Sequence, residues 1–377
     1  MEAAVALRPF ASRPASSAGM WLRSPRWDLG FLILSAALVP IPLLMYHGLG
    51  VSQGAVNLIV AGLIGGPHLY STFTYTFMEP NYRRRHGRLL LGSMALPVMV
   101  TVLAFVNLQI LLTVFFMWAS LHVLHQITYI NDAYAAKGPT PRSRREKAID
   151  YGVVFTCLYP MATPQILAGD FQLGGTPLYV PGWARTGVVA DLQVVAAFAV
   201  FGTFFALWAA KTLRGWRAGR LAVPGALLVA LTVAIGFTLP LMPNLDVAFQ
   251  GFNCWHSLQY LALVWWLNGM RKERGELANH FVAEMNGRDR PWAFYGLAVG
   301  LTVVAGSVVL LIHGVFGVDL QKAYYIVILS TLLQHYYLDH VQFTKLGDML
   351  GSGSRLLAGR AGAEPGTAGL TAPLALR

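Results

Sequence analysis

Ten apolar runs succeed one another along this chain, near residues 29–46, 55–78, 89–106, 109–131, 149–168, 187–210, 222–242, 247–268, 292–313 and 322–344. Each is long enough to cross a hydrocarbon core of about 30 Å. Backbone N–H and C=O groups find no water there, so runs of this length are expected to close their hydrogen bonds internally, as helices. The expected fold is therefore all-α: a polytopic integral membrane protein of about ten transmembrane helices. Only 12% of residues are charged and 55% are hydrophobic, against about 25% charged in a soluble domain.

The net charge of +11 would suit nucleic acid if it formed one basic face, but the basic residues lie in short clusters between apolar runs. That pattern is the one that orients helices in membranes. If the N-terminus is inside, alternate segments hold 26 of the 28 Lys and Arg residues, and only Arg185 and Lys322 fall outside. The expected topology is N-in, C-in, in a bacterial inner membrane, without nucleic-acid partners. Residues 1–27 read as a cytoplasmic N-terminal segment, 28–346 as a single helical membrane domain, and 347–377, rich in Gly, Ala, Pro and Arg, as a disordered cytoplasmic tail. The first apolar run ends in Tyr46-His47-Gly48 without a small-residue cleavage site, so it reads as an uncleaved helix. Cys157 and Cys254 both lie in apolar runs and form neither a disulfide framework nor a zinc-type pair.

Polar residues inside these runs are expensive in hydrocarbon unless partnered. In Ser120 to Tyr134, His122, His125, Gln126 and Tyr129 fall on one helical face at 100° per residue. The same holds for His68 with Thr72, Tyr75 and Glu79, for His256 with Gln259 and Tyr260, and for His335 with Asp339 and Gln342. All four runs are even-numbered, so in this topology they share a direction and their depths compare directly. At 1.5 Å per residue, His68, His122, His256 and His335 lie roughly 15 to 20 Å from the inner ends. Independent structural histidines have no reason to share a layer, so a common metal or cofactor is expected. His68, His122, His125, His256 and His335 are the candidate ligands, and Glu79, Tyr129, Gln259, Tyr260 and Asp339 are the candidates to orient them. His340, about 140° from His335, belongs to another face. The many aromatic residues read as packing and interfacial belts.

Neutral imidazoles with nearby carboxylates suit iron, copper or zinc, and the scarcity of thiolates disfavours iron–sulfur chemistry. The segments Gly66-Pro67-His68, Leu121-His122, Cys254-Trp255-His256-Ser257 and Gln334-His335 to Asp339 resemble, in order, the histidine motifs of the Brp/Blh-like β-carotene 15,15′-dioxygenases. That resemblance implies a histidine-bound non-haem Fe(II), with O2 as co-substrate, and oxidative cleavage of a carotenoid or other apolar lipid drawn from the bilayer. The chain departs from the family in having Leu69-Tyr70-Ser71 after His68 and Tyr260 where a further histidine is expected, and in doubling the histidine as His122 and His125. Two other readings stay open: a haem-binding electron-transfer protein, and a proton-coupled transporter or assembly factor using the same residues as a relay.

Overall fold

The computed structural model describes residues 20–138, 140–287 and 290–343. The expected N-terminal segment up to residue 19 and the expected tail 347–377 lie outside the described residues. Each of the ten apolar runs is mainly helical over its described residues, with turns at 76–78, at Met94 and at 157–158. We label these helices α1 (Pro25–Gly48), α2 (53–75), α3 (Pro80–Val106), α4 (Leu108–Ala136), α5 (144–168), α6 (Gly187–Arg217), α7 (Val223–Leu241), α8 (Leu245–Glu273), α9 (Pro291–Phe316) and α10 (Leu320–Phe343). Among the described residues the only strands, β1 (Gln172–Leu173) and β2 (Thr176–Pro177), pair antiparallel in the loop between α5 and α6.

Six helices, α1, α3, α4, α6, α7 and α9, are long and apolar enough to cross a membrane, and the chain is built as an integral membrane protein. Their outward faces carry large apolar side chains such as Leu34, Val102, Leu192, Val195 and Leu310, a surface suited to lipid rather than water. Of the other four helices, three (α2, α8 and α10) carry the polar stripes with His68, His256 and His335. Those stripes lower their hydropathy and point inward, where they are buried.

Chain ends meet in a consistent pattern. On one side, Lys137 just past α4 donates to the carbonyls of Trp21 and Leu22, and Tyr134 donates to Asp28 at the start of α1 (3.0 Å). On that side Arg142 joins Asp132 of α4 to Asp150 of α5, Lys211 at the end of α6 pairs with Asp150, and Lys147 pairs with Asp132. Glu79, just past α2, accepts from the backbone N–H groups of Ala278 and Asn279, just past α8. At the opposite ends of α2 and α8, Gln53 and Asn57 donate to Asp246. α2 and α8 therefore run parallel.

Glycine allows the closest approaches. A Cβ on Gly251 of α8 would collide with the backbone carbonyl of Val39 in α1, and one on Gly66 would strike the side chain of Thr302 in α9. The largest apolar core lies among α1, α4, α5, α7 and α8. The buried polar centre forms where α2, α4, α8 and α10 converge.

Candidate metal centre

Local irregularity positions the first histidine. Pro67 has no N–H, so the carbonyl of Leu63 loses its helical donor. Tyr295 of α9 supplies one, its hydroxyl lying 2.5 Å from that oxygen. The preceding turn, Ala61–Gly65, widens to π geometry before the α-helix resumes at Gly66, as helices often do at functional sites. The Gly65 carbonyl then accepts from His68 Nδ1 (3.1 Å), so His68 presents Nε2 with its lone pair free.

His122, His256 and His335 arrive from α4, α8 and α10. One nitrogen from each of the four imidazoles lies within 4.8 Å of every other, and all four side chains are buried. The rings form a closed circuit: His68 to His256 4.8 Å, His256 to His122 5.0 Å, His122 to His335 5.0 Å and His335 to His68 4.5 Å between centroids, each edge to face. Nε2 of each ring has no hydrogen-bond partner, nor has Nδ1 of His256. Leaving one buried polar atom unpaired costs about 1–3 kcal/mol, so four such nitrogens gathered together make a candidate binding site for a metal ion. Around a transition-metal ion, donors at about 2.1 Å lie at most about 4.2 Å apart. The separations here reach no more than 4.8 Å, within about 0.6 Å of that limit, so the four residues could hold a metal ion.

A hydrogen-bonded shell supports the ring on the α10 side. His335 Nδ1 is 2.5 Å from Thr72 Oγ1 and 3.4 Å from Asp339 Oδ2. With its proton on Nδ1, His335 donates to this shell and keeps Nε2 for the metal. Asp339 Oδ1 accepts from Tyr260 (2.6 Å) and Tyr75 (2.9 Å), whose hydroxyls are 2.8 Å apart, and Tyr260 also reaches Thr72 Oγ1 (2.7 Å). Tyr260 and Asp339 therefore sit where residues orienting the imidazoles should. Gln126 Nε2 donates to the carbonyl of His256 and to Gln259 Oε1, and Gln259 Nε2 donates to the carbonyl of Leu32, where α1 passes from π to 3-10 geometry. Gln259 fixes the spacing of α1, α4 and α8 rather than touching an imidazole.

Three candidates lie away from the circuit. His125 stacks on Tyr129 (4.6 Å) and faces His340 (4.9 Å), and the Tyr129 hydroxyl is 2.9 Å from His340 Nδ1. This second group lies nearer the basic side. Glu79 is no longer in phase with His68, because the helix leaves α geometry at Thr76 (φ −111°, ψ −86°), and its carboxylate caps the next helix at Asn81 N. Two neighbours were not singled out from sequence as site residues: Thr72, and Tyr336, which stacks on His122 at 4.1 Å and 24°. Thr72 carried a signal, four residues after His68 on the same face. Tyr336 resembled the other membrane aromatics.

A cleft of about 330 Å³ leads from the His122 and Asp339 edge of the circuit to His340. Its wall joins Trp118, Leu121, Phe155, Tyr337 and Phe343 to His125, Gln126 and Tyr129, so it opens between α4, α5 and α10 with a largely apolar surface. No protein-family model, curated protein or solved structure matches the chain.

Proposed function

We propose that this protein is a membrane-embedded non-haem iron oxygenase in which His68, His122, His256 and His335 hold Fe(II) and a carotenoid or similar apolar lipid is oxidised with O2. The observation that carries the reading is the circuit of four buried imidazoles with unpartnered nitrogens, beside an apolar cleft. Four neutral imidazoles leave positions open on an octahedral ion, and iron there would supply the activation of O2. The protein's own share is binding, orientation and exclusion of water. Thr72 holds the His335 ring and leans on Asp339, Tyr75 and Tyr260 hold the Asp339 carboxylate, and the aromatic walls of the cleft take an apolar chain from the lipid. The motif resemblance to the Brp/Blh-like dioxygenases favours double-bond cleavage, and Tyr260, in place of the expected histidine, serves Asp339 rather than the metal.

The same reading takes all ten helices as membrane spans, N-in and C-in, in a bacterial inner membrane. It is supported by the basic residues gathered on one side and by the ends of α2, α4, α6 and α8 meeting there. A haem is disfavoured because a porphyrin between any two of the four histidines would need the space the other two occupy.

Purified full-length protein should contain one iron per chain and show no Soret band. In cells making β-carotene it should bleach the pigment. Haem, or zinc alone after growth in ample iron, overturns the oxygenase reading. Stoichiometric iron without bleaching overturns only the substrate.

A further inference from the structure

On the basic side of the protein, apart from the histidine circuit and its cleft, lies a second cavity of about 390 Å³ between the end of α8 and the first turns of α3. Its wall includes Arg85 and His86 from one segment and Arg271 and Arg274 from the other. These segments are far apart in sequence, so the fold brings the cations together. The single acidic side chain on the described wall is Glu276, 3.9 Å from Arg274. Three guanidinium groups therefore face one carboxylate, an excess that favours an anion.

Two buried polar atoms on the same wall point the same way. The Tyr82 hydroxyl and Asn268 Oδ1 have no hydrogen-bond partner, although the two residues are 5% and 1% exposed. The other end of the Asn268 amide is engaged, donating to Thr74 Oγ1 at 3.1 Å. Ordinary interfacial arginines extend into water and need no such company. Here they stand over a hydroxyl that lacks an acceptor and an amide oxygen that lacks a donor. A phosphate group that also carries a hydroxyl would meet all three demands: oxygens for the guanidinium forks and for Tyr82, and a proton for Asn268.

We infer that this cavity binds a phosphate monoester, held by Arg85, Arg271, Arg274 and Tyr82. Tyr75 also borders the cavity while donating to Asp339, so an occupant would lie one side chain from the shell of the histidine site. The inference does not depend on what that site does.

The test is calorimetric titration of the full-length protein in a neutral detergent with dihexanoyl phosphatidic acid, inorganic phosphate and dihexanoyl phosphatidylcholine. Saturable binding of phosphatidic acid at one per chain is expected, at least about tenfold tighter than phosphatidylcholine, which lacks the net charge and the proton. If phosphate alone binds as tightly as phosphatidic acid, the natural ligand is a soluble phosphate. If only phosphatidic acid binds, it is a lipid headgroup. Arg271→Gln and Arg274→Gln should each weaken binding about tenfold, and Tyr82→Phe, which keeps every charge, several-fold. Absence of saturable binding of either anion overturns the inference. So does unchanged affinity in the arginine variants, or in Tyr82→Phe if the arginine variants do not fold.

Discussion

His335 and His340 stand five residues apart on α10 and serve different surroundings. His335 is fully buried in the circuit, whereas His340 is exposed and bonded to Tyr129. His335→Ala should therefore lose the metal, and His340→Ala and His125→Ala should keep it, as measured by metal content of purified variants. Asp339→Asn should retain most of the metal, because His335 Nε2 is untouched, but lower activity about 10- to 100-fold through the loosened shell. An empty His340→Ala with a loaded His335→Ala would reverse this facing. Helical phase made that division legible in the sequence, since five residues separate two side chains by about 140°. It does not separate His122 from His125, which differ by only about 60° and both read as ligands. Which of the two joins the circuit depends on how far α4 is rotated against α8 and α10, and that is fixed by contacts such as Gln126 to the His256 carbonyl. Thr72 was in view on the His68 face, but its partner His335 is 263 residues away, beyond any local pattern.

Among the elements, the positions of the helices could be read from the apolar runs, while their ends, as at Pro80 and Arg217, and their irregularities could not. Pro67 marks the place of the π turn before Gly66, but the groups that hold that turn and the break at Thr76 are distant, namely the Tyr295 hydroxyl on the Leu63 carbonyl and the Glu79 carboxylate on the loop after α8. Two stability effects should distinguish packing from charge. Gly251→Ala places a methyl against the Val39 carbonyl, an atom that cannot rotate away, and should destabilise by about 1–3 kcal/mol, seen as a lower unfolding midpoint in detergent. Arg142 is largely shielded and joins two carboxylates, of which that of Asp150 is 5% exposed. Arg142→Met should cost about 1.5–3 kcal/mol, because the buried Asp150 carboxylate loses a charged hydrogen bond and keeps only Lys211. Lys147, half exposed in its pair with Asp132, should cost less than about 1 kcal/mol when replaced by Met. Equal losses for the two lysine and arginine variants would mean that the network is uniformly solvated.

For the molecule as a whole, the sidedness of the basic residues predicts that the 137–147 loop and the C-terminus face the cytoplasm. An alkaline phosphatase fused after Gly347 should be inactive and a fluorescent protein there bright; the opposite result would invert the topology. The circuit also has a consequence for the order of events during synthesis. Its members come from α2, α4, α8 and α10, and His335 lies on the last of the described helices. Three imidazoles are made before the fourth leaves the ribosome, and Asp339 arrives only with it. The circuit cannot be completed on a chain that stops before α10, so any metal held by all four histidines would be captured only after α10 has been made. Chains stopped before α10 should emerge from the membrane without metal, however much iron the cell supplies.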